Sequence, residues 1–281
     1  MKTKITVVCE NSVIAPFPLI GEHGFSCLIE SGGDATLFDT GQGFGLMHNM
    51  KALGIHSDRV RRIILSHGHY DHTGGLVPFL TSRKEKTTVY LHPDAFHHRC
   101  KVIQMPGGTV ETPIGMSASR SDYENAGAEF IPVQGFVHIT ESIAAITEVT
   151  RPADWKTWDT VLKRKINGVM EDDPFNDDLS LLIRTESGPV VLLGCAHAGI
   201  VEILNDLSEK TGHREFHAVI GGTHLANAPE DYVKLAMDTL KAYRVRVVAV
   251  SHCTGLKMAC RFAAEFKNEF ANASAGGEFE L

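Results

Sequence analysis

The feature that most constrains this chain is a histidine-rich turn at residues 67–72, His67-Gly68-His69-Tyr70-Asp71-His72. It follows the apolar stretch Arg62–Ser66, which is typical of a buried strand, and it precedes a predicted helix at Gly74–Leu80. A turn in that position lies at the edge of a sheet, where ligands usually bind. The turn therefore predicts a ligand site at a sheet edge.

Four side chains of this turn are able to bind a metal ion. His67 and His69 are two positions apart, so in an extended chain they project to the same side. Asp71 and His72 follow the point where the chain turns, and they face the same space from another direction. Imidazoles combined with a carboxylate suit zinc, manganese or iron better than calcium or magnesium. A polar surface loop is the alternative, but four potential ligands within one turn favour a metal site.

The rest of the chain predicts one layered α/β domain. Hairpin signals occur at residues 31–34 and 185–188. In the second half, predicted strands alternate with helices such as Ile200–Leu207, whose apolar residues are three and four positions apart. This order of elements predicts sheets covered by helices in a single domain over residues 1–281. Prolines and glycines interrupt the pattern of residues 99–174. We expect this region to be an elaboration of the domain, with a flap over the site as one interpretation.

Charge and composition argue against several classes of function. The chain has 27 Lys and Arg against 34 Asp and Glu, a net charge of −7, which disfavours partners such as nucleic acid or an anionic membrane. No apolar run approaches the roughly 20 residues that cross a bilayer, and the first residues do not form a signal peptide. The six cysteines show no paired spacing, so reduced thiols and a cytoplasmic location are expected. The 15 histidines point to metal binding or acid–base chemistry.

The histidine turn resembles the signature of the metallo-beta-lactamase superfamily, and residues 38–41 match the strand and loop that usually precede it. Five blocks, one of which contains this turn, resemble one branch of that superfamily, labelled dihydropterin–ribofuranosylaminobenzene-phosphate synthase-like. They are Glu22–Ser26, Leu65–Leu76, Gly194–Ile200, Gly221–Leu225 and His252–Gly255. The resemblance spans nearly the whole chain, and residues 99–174 are its weakest part. It implies an α/β fold in the form of a four-layer αββα sandwich with a metal site at one edge of the sheets.

The superfamily pattern implies two groups of metal ligands, which are His67, His69 and His197 for one ion and Asp71, His72 and His252 for the other. His197 is chosen because it follows the predicted strand Val190–Leu193 and has small neighbours. His252 is chosen because it ends the apolar strand Val247–Val250. A buried structural histidine is the alternative at each position. We therefore expect one or two divalent metal ions, with zinc preferred and manganese or iron as alternatives.

The chain departs from the superfamily pattern where a bridging aspartate is expected. The corresponding positions, directly after the predicted strand Val190–Leu193, are Gly194 and Cys195. Cys195 as a thiolate ligand is one replacement. Asp177 and Asp178, which enter the preceding strand, are others, although a surface pair of charges is an equally good interpretation. This departure leaves open whether a second ion binds.

Four residues are candidates for catalysis or substrate binding. His224 follows two glycines at the end of a predicted strand, so it is expected to act as a substrate-facing acid or hydrogen-bond donor, or else to have a structural role. Thr254 and Lys257 lie near the start of the last predicted helix, whose N-terminal amides suit a phosphate. An ordinary helix start is the alternative. Asp71 is expected to accept a proton as well as to bind metal.

The resemblance implies a metal-dependent enzyme, either a hydrolase or a transferase. The expected reaction is hydrolysis of a phosphorylated or ester-containing small molecule. The alternative is a transferase that joins a pterin-like partner, a dihydropterin diphosphate, to ribofuranosylaminobenzene phosphate and releases pyrophosphate. A non-catalytic module that binds a metal or ligand is a third interpretation. The missing bridging aspartate favours it, whereas the intact turn from His67 to His72 argues against it. The fold alone does not decide among them, because one fold carries many reactions.

Overall fold

A computed structural model of the chain describes residues 2–281. Its strands are β1 (Thr3–Cys9), β2 (Ser26–Ser31), β3 (Asp34–Phe38), β4 (Arg62–Ile64), β5 (Thr87–Leu91), β6 (His98–Met105), β7 (Gly108–Pro113), β8 (Ala128–Pro132), β9 (Phe136–His138), β10 (Ile143–Ile146), β11 (Leu162–Ile166), β12 (Val169–Asp172), β13 (Ser180–Arg184), β14 (Pro189–Leu193), β15 (Ala218–Gly222), β16 (Val247–Ser251) and β17 (Glu278–Glu280). Its α-helices are α1 (Leu46–Ala52), α2 (Tyr70–Thr73), α3 (Leu76–Thr81), α4 (Arg120–Asn125), α5 (Ile200–Thr211), α6 (Glu230–Ala242) and α7 (Leu256–Phe266). None of these helices has the length and apolarity needed to span a membrane.

Two large mixed sheets form the centre of the domain. Their strand orders are β17-β1-β2-β3-β4-β5-β8 and β16-β15-β14-β13-β10-β9. The first sheet pairs β3 with β4 in parallel, and the second pairs β14 with β15 and β15 with β16 in parallel. Parallel neighbours end at the same edge of a sheet, so the loops that follow these five strands meet along one rim.

The two sheets pack face to face, and helices cover their outer faces. The alternating side chains of β13 illustrate this arrangement. Leu181 and Ile183 belong to the core between the sheets, whereas Leu182 belongs to the core under the helices. On the first sheet the outer layer includes Leu46 of α1 and Phe79 of α3. Helices α5, α6 and α7 cover the second sheet. The order helix, sheet, sheet, helix confirms the αββα sandwich.

Most elements predicted from the sequence are present with shifted ends. The predicted hairpin at residues 31–34 joins β2 to β3, and its two glycines, Gly32 and Gly33, have φ of 59° and 81°. Two central residues with positive φ are what a tight hairpin turn requires. The last helix, α7, ends at Phe266 because Lys267 adopts a positive φ of 49°. Positive φ breaks the right-handed helix at that point.

Residues 98–172 supply a third, smaller sheet with the order β12-β11-β6-β7. Strand β7 is exposed along its whole length, and β11 is only partly buried. Strands with so little buried surface do not need alternating apolar residues. The sequence pattern therefore predicted only an irregular elaboration in this region, where the structure contains a regular sheet.

Candidate metal centre

The structure brings together the six predicted metal ligands, His67, His69, Asp71, His72, His197 and His252. They come from the loop after β4, from α2, from the loop after β14 and from the end of β16. All of them lie on the rim where the parallel strands end, and none is more than 7% exposed. Topology therefore assembles residues that are far apart in the chain into one buried cluster.

The first group consists of His67, His69 and His197, whose ligand atoms lie within 4.8 Å of one another. Nε2 of His67 is 2.9 Å from Nδ1 of His69. Both ring nitrogens of His197 and Nε2 of His69 are buried without a hydrogen-bond partner. The ring of His197 stacks on Phe175, with centroids 4.3 Å apart and ring planes 6° apart, which fixes its orientation.

The electrostatics of this first group fit a metal ion. Burial lowers the pKa of His67, His69 and His197 well below the usual histidine value, and neighbouring cationic groups lower it further, although the charge of Asp71 acts in the opposite direction on His69. The lowered pKa values favour the neutral imidazoles, and one ring nitrogen of each lies in the same small buried space. Unpaired polar atoms are unfavourable in such a space unless a partner satisfies them. A divalent cation that prefers nitrogen ligands would be a suitable partner for the three imidazoles.

The second group consists of Asp71, His72 and His252. Oδ2 of Asp71 lies 3.3 Å from Nε2 of His252 and 3.8 Å from Nε2 of His72, and the two imidazole nitrogens are 3.2 Å apart. Burial raises the pKa of Asp71, but the electrostatic influence of the adjacent His72 and His252 outweighs it and holds the pKa well below the usual value. An ionised carboxylate beside two imidazoles is a second donor set that suits zinc, manganese or iron.

Cys195 lies between the two groups. Its Sγ is 3.2 Å from Nε2 of His72, and it forms a ligand cluster with His67 and His72. Burial raises the pKa of its thiol well above the usual range. Among the described residues 2–281, Cys195 is the one proposed replacement for the bridging aspartate that joins a ligand cluster.

Asp177 supports the turn that carries the first two histidines. Its Oδ2 accepts the backbone N–H of Gly68 at 2.9 Å, and its Oδ1 accepts a hydrogen bond from Arg99 at 2.7 Å. Arg99 is 1% exposed and also donates to Asp173 at 2.6 Å. Gly68 is required at this point because a Cβ there would overlap the carbonyl oxygen of Ala95. The sequence did not single out Arg99, since one arginine far from the turn forms no motif.

Asp178 supports the loop that carries His197. Its Oδ2 accepts the backbone N–H of Ala198 at 3.0 Å, and burial raises its pKa to about 6. Asp177 and Asp178 are 1% and 2% exposed, so the interpretation of this pair as surface charges is wrong. Both carboxylates hold backbone around the cluster, and neither joins a ligand group within residues 2–281.

Asp39 orients two of the imidazoles and was not predicted to belong to the site. Its Oδ2 is 2.7 Å from Nδ1 of His72, and its two oxygens accept the backbone N–H and the hydroxyl of Ser66 at 2.6 Å each. The same hydroxyl lies 2.9 Å from Nδ1 of His67. Nδ1–H of each histidine is therefore occupied by Asp39 or Ser66, and Nε2 of each is left for the centre of the cluster.

Backbone strain is concentrated around the cluster. Asp39, Ala196, His224 and His252 all have φ between 51° and 59°, in the left-handed region. For residues other than glycine this conformation costs about 1–3 kcal/mol each, and it persists only where the surrounding structure imposes it. These strained residues lie at the strand ends that bring side chains together in the ligand cluster.

A cavity of about 350 Å³ opens beside the cluster. The region of the third sheet contributes Lys101, Ile114, Val161 and Leu162 to its wall, so part of residues 99–174 encloses the site. Lys101 is the only lysine or arginine in this wall. Among residues 2–281, no carboxylate oxygen lies within ion-pair distance of its amine.

His224 lies in the same cavity wall and is paired with Asp159. Nδ1 of His224 is 2.6 Å from Oδ2 of Asp159, and its backbone carbonyl accepts the indole N–H of Trp158 at 3.0 Å. Burial lowers the pKa of His224, but the hydrogen bond to Asp159 and nearby negative charges outweigh it and raise the pKa to about 9. The ring is therefore a hydrogen-bond donor at the cavity wall. Asp159 was missed because it lies in the poorly patterned region.

The structure does not bring Thr254 and Lys257 to the cavity. Thr254 is fully buried in a 3₁₀ turn, and its hydroxyl bonds to the hydroxyl of Thr223 at 2.9 Å and to the backbone N–H of Thr223 at 3.1 Å. Lys257 is exposed on α7, outside the cavity wall. A 3₁₀ turn precedes α7, and neither of the two residues proposed for phosphate binding lines the cavity.

The fold is that of an αββα protein with candidate metal-ligand groups at one rim of its sheets. A sequence profile of the metallo-beta-lactamase superfamily matches residues 19–252. The chain belongs to this superfamily. The resemblance predicted from the histidine turn is thereby confirmed.

Two relatives resemble the chain over nearly its whole length. One is the 7,8-dihydropterin-6-methyl-4-(beta-D-ribofuranosyl)-aminobenzene-5'-phosphate synthase of Methanocaldococcus jannaschii, 29% identical over 97% of this chain and 95% of the relative. The other is the crystal structure of Tm1679, a metal-dependent hydrolase of the beta-lactamase superfamily, with a TM-score of 0.84, 28% identity and 99% of each chain covered. The metallo-beta-lactamase fold protein YhfI from Bacillus subtilis shares the fold, with a TM-score of 0.58, 14% identity and full coverage of both chains.

Proposed function

We propose that this protein is a metal-dependent hydrolase that acts on a small molecule carrying a phosphate or ester group. The observation that carries the proposal is one cavity of about 350 Å³ whose wall contains members of both ligand groups, the paired His224 and the cation Lys101. Ligand sites of this size with a few convergent polar groups are typical of small-molecule enzymes. The size of the cavity and its mixed lining support this class of substrate.

The six clustered ligands, with Cys195 between them, would hold two divalent ions, and we propose zinc. Such ions lower the pKa of water towards ~7 and polarise a phosphoryl or carbonyl oxygen. Asp71 contributes a carboxylate that faces His252 and lines the cavity, so it both binds metal and is able to accept a proton. Asp39 and Ser66 orient the histidines of the cluster.

His224 is the proposed proton donor to the leaving group. Asp159 accepts the hydrogen of Nδ1, so the ring is fixed and its other nitrogen is free to serve the substrate. A positioned acid contributes typically 10²–10⁴-fold to a rate. Lys101 supplies the positive charge that an anionic substrate group needs, because it has no carboxylate partner of its own within residues 2–281.

The experiment is an assay of protein reconstituted with zinc, manganese or iron. The probes are bis(p-nitrophenyl) phosphate, p-nitrophenyl phosphate and a simple lactone. We expect turnover with at least one metal, and we expect Asp71→Ala to abolish it while the exposed control Asp58→Ala does not. His224→Asn should lower kcat by roughly 10²-fold or more without loss of metal. Absence of turnover with every metal and probe would contradict the proposal.

A second candidate is the transferase reaction, and the relative named as a synthase favours it. In this reaction dihydropterin diphosphate is joined to the ribofuranosylaminobenzene phosphate, and pyrophosphate leaves. The same cavity, His224 and Lys101 would then serve the diphosphate leaving group. Release of pyrophosphate only when both substrates are present supports the transferase. Release of phosphate or alcohol from a single substrate supports the hydrolase.

A further inference from the structure

One side of the second ligand group contacts the N-terminal segment through the amide of Asn11. Oδ1 of Asn11 is 2.9 Å from Nδ1 of His252, and Nδ2 of Asn11 is 3.3 Å from Nδ1 of His23. Nε2 of His23 is in turn 3.2 Å from Oδ2 of Asp71. The same carboxylate oxygen faces Nε2 of His252 at 3.3 Å. Four side chains therefore form a closed ring.

The chemistry of an amide gives this ring a direction. Oδ1 of an asparagine only accepts hydrogen bonds and Nδ2 only donates them. Nδ1 of His252 must therefore carry the hydrogen, whereas Nδ1 of His23 must be the bare nitrogen. A neutral imidazole has one N–H, so Nε2 of His23 carries its hydrogen and donates it to Asp71. Nε2 of His252 is bare and faces Asp71, which is the state a metal ligand requires.

We propose that Asn11 fixes the tautomers of His23 and His252 in opposite senses. His252 is thereby set as a metal ligand, and His23 as a hydrogen-bond donor that holds the carboxylate of Asp71. This inference rests on the proposed metal site. Partners of this kind, which orient a ligand without touching the metal, typically change metal affinity 10–100-fold when they are removed.

The geometry also distinguishes the role of His23 as a hydrogen-bond donor from a role as an additional metal ligand. His23, Asp71 and His252 have ligand atoms within 4.8 Å of one another, so His23 resembles an additional metal ligand. For His23 to bind metal through Nε2, its Nδ1 would have to donate to the oxygen of Asn11. The amide would then turn its N–H₂ towards His252, and His252 would lose its hydrogen at Nδ1 and gain one at Nε2. A single amide cannot prepare both histidines as Nε2 ligands.

The test uses the zinc-loaded protein and two readouts that do not depend on turnover. Long-range ¹H–¹⁵N correlation spectra report which ring nitrogen of each histidine carries hydrogen. We expect His23 to be protonated at Nε2 and His252 at Nδ1 in the wild type. In Asn11→Asp, a carboxylate that accepts from both rings should move the hydrogen of His23 to Nδ1. A wild-type His23 with its hydrogen at Nδ1 would overturn the inference even if the variants failed to fold.

The second readout is zinc affinity, measured by competition with a chromophoric chelator. Asn11→Ala should weaken zinc binding by about 10–100-fold. The exposed Asn125→Ala, at the end of α4, is the matched control and should leave affinity unchanged. Equal affinities of wild type and Asn11→Ala would contradict this inference alone. A wild type that binds no zinc would contradict the proposed function, and this inference with it.

Discussion

Oδ2 of Asp39 lies 2.7 Å from Nδ1 of His72, although the two residues are 33 positions apart and both side chains are fully buried. The contact fixes which nitrogen of His72 faces the cluster. Ser66 extends the same control to His67, since its hydroxyl lies 2.6 Å from Asp39 and 2.9 Å from Nδ1 of His67. One carboxylate thus orients one imidazole from each of the two ligand groups.

Asp39→Asn should lower the affinity for zinc by roughly 10–100-fold, because the amide removes the charge that supports two ligating imidazoles. Chelator competition measures the change. The exposed Asp58→Asn is the control for loss of one negative charge. An affinity within twofold of wild type in Asp39→Asn would show that the carboxylate does not support the ligands.

Arg99→Met should destabilise the protein by about 3–5 kcal/mol, because it leaves Asp173 and Asp177 buried without their cationic partner. Urea unfolding followed by circular dichroism measures the free energy of unfolding. Arg120→Ala, which removes an exposed ion pair with Glu124, should have little effect. Equal stabilities of the two variants would contradict this account of the buried network.

Gly68→Ala should destabilise the histidine turn, since the new methyl group overlaps the carbonyl of Ala95. Overpacking of this kind costs typically about 1–3 kcal/mol, and it should also displace His67 and His69. Gly107→Ala is the control, because a Cβ there meets no atom within 4 Å. Unfolding and zinc binding are both measured. A Gly68→Ala protein with wild-type stability and metal affinity would show that the contact between residue 68 and the carbonyl of Ala95 does not constrain the turn.

Lys101→Gln should raise KM for an anionic substrate by roughly three- to tenfold and leave kcat unchanged, because a partly solvated charge contact is worth about 1 kcal/mol. An uncharged ester substrate should show no change in KM. Lys84→Gln, at an exposed lysine outside the cavity, serves as the control. A fall in kcat with constant KM would mean that Lys101 does not act through substrate charge.

The ligand cluster was predictable from sequence because its signals are local. His67 to His72 form a dense motif, and His197 and His252 follow apolar strands that are easily recognised. Strand ends in an α/β fold converge on one rim, so the motif and the two distant histidines could be joined through the superfamily resemblance.

The residues that support the ligands were not predictable, because their signals are not local in the sequence. Asp39, Arg99 and Asp159 act through contacts with residues far along the chain, and no sequence spacing indicates those partners. The region of the third sheet lacked a clear pattern because strand β7 is fully exposed. The role of Asn11 was not predictable either, since it depends on two histidines that only the fold brings together.

The proposed centre has two adjacent ligand groups that would each bind a divalent ion. The most direct test is the number of zinc ions per chain, measured by elemental analysis after equilibrium dialysis. We expect two ions in the wild type, one in His197→Ala and one in His252→Ala, because each substitution removes a ligand from one group only. A wild-type chain that binds no zinc, or a count that neither substitution changes, would contradict the claim.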